Sequence, residues 1–290
     1  MEINYIPFKE IDKNKWNGLV YHAPNGHPFG FYWYLKSIFK TFDILVEGDY
    51  QSGMPLIEAP KTMAAGRSLP SLGLYSVNNF SAYRINHFYE AWKVHNGNHP
   101  GYPFNVQMAD GLQQQLPHKE WYCLPLGKSY EGMYASYLPE TRSTLDRISL
   151  GEYIFSSNEK PESLLSHYPE STEDKNMYYR IMYHALQRGI GFSSVVFKKK
   201  EKPAVSFFIS SHNGIYEIYH TPNAPVDSRL LLYDTIIRSN PNRVVTIYLL
   251  ESSADISTGL GCHKTCIPLS GIQQFSKPTR WDKFFGLIKN

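Results

Sequence analysis

Residues 204–250 decide the fold. They read AVSFFIS (Ala204–Ser210), HNG (His212–Gly214), IYEIYH (Ile215–His220), TPNAPVDS (Thr221–Ser228), RLLLYDTIIRS (Arg229–Ser239) and VVTIYLL (Val244–Leu250). Val205–Ser210 and Ile215–Thr221 are rich in β-branched and aromatic residues, the composition of paired pleated strands. His212-Asn213-Gly214 predicts the turn between them, with Gly214 at positive φ. Asp227-Ser228 predicts a helix N-cap, followed by Arg229–Ser239 with Leu230, Leu231, Tyr233, Ile236 and Ile237 at helical spacing. Asn240-Pro241-Asn242 stops that helix. Val244–Leu250 is a nearly unbroken apolar run, as in a central strand covered on both faces. A strand, a helix and a buried strand in succession predict a crossover between neighbouring strands.

Ligands of such sheets bind beyond the carboxyl ends of the strands. Those ends carry Tyr219, His220 and Thr221 on one strand, and Glu251, Ser252 and Ser253 after the other. The helix start at Asp227, Ser228 and Arg229 turns its open N–H groups toward the same edge, a place for an anion. Glu251 reads either as a proton acceptor, its carboxyl raised at a low-dielectric mouth, or as a partner for Arg229. Alternation sends Tyr219 and His220 to opposite faces, so one lines a pocket as acid or donor while the other packs. Ser252 and Ser253 either donate to a developing oxyanion or form a turn.

The chain has 290 residues, enough for two ordinary domains or one large one. Net charge is +3, with 12 basic and 12 acidic groups in residues 1–145 and 17 and 14 in residues 146–290. That is too mild to argue for nucleic acid. The only dense basic run, Lys198–Lys202, sits between two strand-like stretches and reads as a solvated hairpin turn. No apolar run approaches the ~18 residues that span a bilayer. MEINYIPFKEIDK lacks a signal-peptide pattern, and three cysteines form no disulfide framework. A reduced, cytoplasmic setting is the expectation.

Cys262-His263-Lys264-Thr265-Cys266 is short of the four ligands that structural zinc needs, so no metal is expected. P-loop, H-E-x-x-H, G-x-S-x-G and dinucleotide fingerprints are missing. The aromatic stretch Phe29–Phe39 reads as core. In chain order the second half repeats the first as helix, antiparallel strands, helix, strand. The boundary between the two units is expected near residue 150, giving 1–150 and 151–290.

Four segments carry a resemblance. Asp43–Pro55 (DILVEGDYQSGMP), Leu69–Ser76 (LPSLGLYS), Tyr122–Ser143 (YCLPLGKSYEGMYASYLPETRS) and Leu249–Gly261 (LLESSADISTGLG) resemble the FemAB-like branch of the GNAT acyltransferase superfamily. These are bacterial proteins with two GNAT-type units in one chain. The resemblance implies an α/β fold of two GNAT-like units, with a final helix near Trp281–Ile288 crossing back to the first. It also implies an N-acyltransferase that takes acyl-CoA or an aminoacyl donor and passes its acyl group to an amine. Glu251, Ser252, Ser253 and Leu260-Gly261 stand where the family has E-G-S and then F-G, so Ser252 replaces a glycine and Leu260 an aromatic.

The family's CoA-binding members cradle the pyrophosphate in a glycine-rich loop. The corresponding loop here, Thr221–Ser228, contains no glycine. Pro222 and Pro225 remove N–H donors and Asp227 repels phosphate, which argues against the standard mode of CoA binding. The donor-contacting candidates are then Thr221, Asp227, Ser228, Arg229, Ser252 and Ser253, with Glu251, Tyr219 and His220 for catalysis. A GNAT-derived binding protein without catalysis is the alternative. The two are separated by whether the strands ending at Thr221 and Leu250 splay to leave a slot.

Overall fold

The computed structural model describes residues 2–57, 73–96, 120–148, 153–157, 159–166, 172–198, 201–212, 214–221, 224–240, 245–250 and 254–266. They fall into two compact units. One holds the described residues up to 96 together with Cys266, and the other runs from Glu120 to Thr265.

In the first unit, β1 (Ile3–Ile6), β2 (Asp43–Glu47), β3 (Ser52–Leu56) and β4 (Tyr75–Ser76) form an antiparallel sheet in sequence order. Helices α1 (Lys13–His22), α2 (Tyr32–Ile38) and α3 (Ala82–Asn96) complete it. Asp12 caps α1 by accepting from the N–H groups of Asn14 and Lys15, a contact worth about 1 kcal/mol. Trp16 is fully buried and donates through Nε1 to the Gly30 carbonyl at 2.8 Å. Phe29, Tyr34, Leu35 and Phe39 are buried as well, so the aromatic stretch is core. The turn between β2 and β3 places Gly48 at φ 58° and Tyr50 at φ 57°. The Tyr50 hydroxyl accepts from the Asp12 N–H, an interaction that helps to hold the left-handed backbone.

The second unit contains β5 (Glu120–Pro125), α4 (Tyr130–Ala135), α5 (Pro139–Arg147), β6 (Tyr153–Ser157) and the short α6 (Pro161–Leu164). It continues through α7 (Thr172–Gln187), β7 (Gly191–Lys198), β8 (Glu201–Ser211), β9 (Gly214–His220), α8 (Val226–Arg238), β10 (Thr246–Leu249), α9 (Ala254–Gly259) and β11 (His263–Cys266). Its sheet has seven strands in the order β11-β5-β10-β9-β8-β7-β6. β10 pairs parallel with β9 and antiparallel with β5. The expected crossover from β9 through α8 to β10 is present.

Two helical layers cover this sheet. On α7, Met177, Tyr178, Ile181, Met182 and Ala185 form one buried stripe toward β7. Gly191 lets α7 approach closely, since a Cβ there would lie 2.8 Å from both the Ala185 Cβ and the Phe207 ring. The other face packs α8 onto Val196, Ala204, Phe208 and Ile215, with Met133, Tyr137 and Ile148 in the same cluster. Helix α8 is buried over most of its length, including Asp234. Asp234 accepts from the hydroxyls of Tyr130 and Tyr137 and from Arg238, which ties α8 to the α4 region. A buried carboxylate needs that set of donors.

Three expectations change. The division between units lies before Glu120 rather than near 150, because β5 is zipped to β10 and carries residues 120–148 into the second unit. Gly214 does not adopt positive φ; its value is steric, since a Cβ would sit 2.5 Å from the Tyr248 ring. Helix α8 begins at Val226 behind Pro225, whose fixed φ (−54°) starts it ahead of Asp227-Ser228, and no side chain caps it. The expected strand Phe104–Met108 and the final helix near Trp281–Ile288 lie outside the described residues.

Candidate active site

The parallel pairing of β9 with β10 covers Gly214–Tyr216 and Thr246–Tyr248. Beyond it β9 runs four residues further, to His220, while β10 ends one residue on, at Leu249. Just past the last pair, side chain replaces backbone as the link. Glu217 Oε2 accepts the Leu250 N–H at 3.0 Å, so a carboxylate rather than a ladder bond joins the two strands. Below it the Tyr216 and Tyr248 rings stack, their centroids 4.6 Å apart.

Glu217 is fully buried. Its Oε1 accepts from Ser206 Oγ on β8 at 2.9 Å and from the Tyr233 hydroxyl on α8 at 2.7 Å. His220 Nδ1 lies 3.4 Å from Oε2, an ion-pair distance rather than a tight hydrogen bond. Burial by itself pushes the Glu217 carboxyl up. The His220 charge and contact, the Tyr233 hydroxyl and the Leu250 N–H outweigh it and hold the group below the ordinary carboxylate value.

A register irregularity makes the pair possible. Phe207 pairs with Tyr219 and Phe208 with Glu217, so Ile218 is an extra residue, a β-bulge. In a regular strand residues three apart point to opposite faces. The bulge brings Glu217 and His220 to one face, while Tyr219 packs its ring against Tyr178 of α7.

The other sequence candidates are placed as follows. Thr221 belongs to the ladder: its N–H donates to the Val205 carbonyl at 2.9 Å, and its Oγ1 accepts from the Val205 N–H at 3.1 Å. Asp227 is half-exposed in the first turn of α8, 3.9 Å from Arg147. There it supplies negative charge to the helix N-terminus. Ser228 is buried and Arg229 half-buried beside it. Glu251, Ser252 and Ser253 lie outside the described residues. No group of three or more His, Cys, Asp or Glu suited to a metal occurs among the described residues.

Sequence reasoning did not single out Glu217, Ser206 or Tyr233. The signal was there: one glutamate inside the strand-like run IYEIYH, where every neighbour is apolar, aromatic or histidine.

No family model and no curated protein matches the sequence. Solved structures do. FemX is similar at a TM-score of 0.59 and 11% identity, covering 92% of this chain and 96% of FemX. A conserved protein of unknown function from Bacteroides thetaiotaomicron VPI-5482 is similar at 0.52 and 10%, covering 91% of this chain and all (100%) of that one. A tandem GNAT protein from the clavulanic acid biosynthesis pathway aligns at 0.43 and 10%, covering 92% and 99%. At such identities the likeness speaks to backbone arrangement alone. This protein has a mixed α/β fold similar to that of FemX.

Proposed function

We propose that the chain is an N-acyltransferase, moving an acyl or aminoacyl group from a thioester or ester donor to an amine where β9 and β10 part. The observation that supports this reading is the buried Glu217–His220 pair, 3.4 Å apart at the end of the shared ladder. The amine nitrogen attacks the acyl carbonyl, forming a C–N bond as the C–S or C–O bond breaks. His220 takes the amine proton, and the leaving sulfur or oxygen is protonated in turn. Glu217 orients the imidazole and stabilises its charged form, as a carboxylate does behind any histidine base. Glu251, the next residue in the sequence after Leu250, is proposed as a second proton carrier.

The loop before α8 argues for the donor class. With Asp227 already at the helix start and no glycine in Thr221–Ser228, a pyrophosphate finds repulsion and few donors. That favours an aminoacyl ester over CoA, and it also supports the second reading, a GNAT-derived binding protein without turnover. Incubation with acetyl-CoA, longer acyl-CoAs and aminoacyl-tRNA, each with free amines, tests both. Amine-dependent release of thiol or of deacylated tRNA supports transfer. Saturable donor binding with no transfer under any pairing would leave only the binding protein.

A further inference from the structure

A second feature of the same unit lies away from the Glu217–His220 pair. A cavity of about 430 Å³ opens beside the last turn of α8, between it and the ends of β6 and β7. Of the eleven described residues that line it, eight carry a hydroxyl or carboxamide, two are phenylalanines, and none is charged.

The serines follow the sheet register. Ser157 of β6 pairs with Ser194 of β7, and Ser194 with Ser206 of β8, the donor to Glu217. They replace large apolar residues on a face that otherwise packs α8 with Val196, Ala204 and Phe208. Exposure falls along the row, from Ser157 at the rim to Ser206, which is buried. Serine at the buried positions Ser194 and Ser206 gives up apolar burial in a core face, and such local conflicts with the fold mark functional sites.

The hydrogen bonds already made define what the wall offers. Ser156 donates to Glu159 Oε1 at 3.3 Å, Thr235 to the Leu231 carbonyl at 2.7 Å, and Ser239 to the Thr235 carbonyl at 2.7 Å. With those protons committed, the three hydroxyls present lone pairs to the cavity. Among the described lining residues an anion finds no cationic group and a cation finds no carboxylate, and a hydrocarbon would leave the hydroxyls unsatisfied. A neutral ligand with several O–H donors satisfies them. Phe192 supplies a flat apolar wall, held by stacking on Phe208 with centroids 5.3 Å apart. An apolar ring face beside converging acceptors suits the two-sided character of a pyranose, and the volume lies within the range of small-molecule sites.

We propose that this cavity binds a neutral saccharide ring. The site is independent of the transferase reading, because no residue of the catalytic proposal lines it.

The test is titration calorimetry of the full chain with D-glucose and with N-acetyl-D-glucosamine, repeated on Ser157→Trp and Ser194→Ala. Ser157 is exposed at the rim, so its indole blocks the mouth without entering the core; circular dichroism and Tm confirm the fold. The expected result is saturable binding by at least one sugar in the millimolar range or tighter, weakened about tenfold or more by Ser157→Trp and several-fold by Ser194→Ala. Absence of saturable binding by both sugars overturns the proposal. So does binding that a folded Ser157→Trp leaves unchanged.

Discussion

Glu217 and His220 face each other at 3.4 Å on one side of β9, an arrangement that depends on the extra residue Ile218. Glu217 also gathers Ser206, Tyr233 and the Leu250 N–H, so three strands and a helix converge on one carboxylate.

Replacing Glu217 therefore costs more than one hydrogen bond. Glu217→Gln keeps the shape but turns an –NH₂ toward at least one of the donors. A loss of about 2–4 kcal/mol is expected from chemical denaturation at pH 7. Because the folded carboxyl lies below its ordinary value, its contribution is present above the unfolded pKa and is lost as pH falls through the lowered folded value. The stability gap between wild type and Glu217→Gln should thus narrow below about pH 4.

At His27 stability is lost in the same direction, but starting from a higher pH. It is fully buried beside Phe29 and Tyr75, and burial lowers its pKa from 6.5 to about 3. The unfolded chain then binds a proton that the folded chain refuses. Stability from the neutral imidazole is complete above pH 6.5 and falls as pH drops toward 3, at about 1.4 kcal/mol per pH unit. His27→Asn should flatten the stability profile between pH 6 and 4 by one proton's slope, read from denaturation midpoints. An unchanged slope would place the titration elsewhere.

Gly214 sets the start of the β9–β10 pairing by fitting under Tyr248. Gly214→Ala forces a Cβ to within 2.5 Å of that ring and 3.0 Å of the Thr246 carbonyl. The expected cost is about 1–3 kcal/mol, the usual range for overpacking. A substitution that leaves Tm unchanged would contradict the packing account.

Asp234 is the buried anchor of α8. Tyr137→Phe removes one of its donors but leaves Tyr130 and Arg238, so a loss of about 1 kcal/mol is expected. Asp234→Ala strands all three partners and should cost about 3 kcal/mol or more. Denaturation of both variants checks the ratio.

How much of this was legible in the sequence depends on how local the signal is. The run from Ala204 to Leu250 announces β8, β9, α8 and β10 because each element carries its own periodicity or apolar run. β5 is different: its partner in the sheet, β10, lies more than a hundred residues away, so nothing near Glu120 tells which unit it joins. That is why the boundary moved. The bulge at Ile218 has no composition of its own, so strict alternation could not bring His220 and Glu217 together. Thr221 reads as a site residue from its place at a strand end, yet both its backbone and hydroxyl are spent on Val205. Glu217 was visible as a lone acid in an apolar run, but only the fold supplies the four partners that explain it.

The most direct measurement is single-turnover acyl transfer by His220→Gln against wild type, using whichever donor and amine the wild-type protein turns over. The account predicts a rate reduced by about 10²–10⁴-fold, the usual worth of a general base, with donor Kd unchanged. An unaltered rate in a variant that folds and binds donor normally would contradict it.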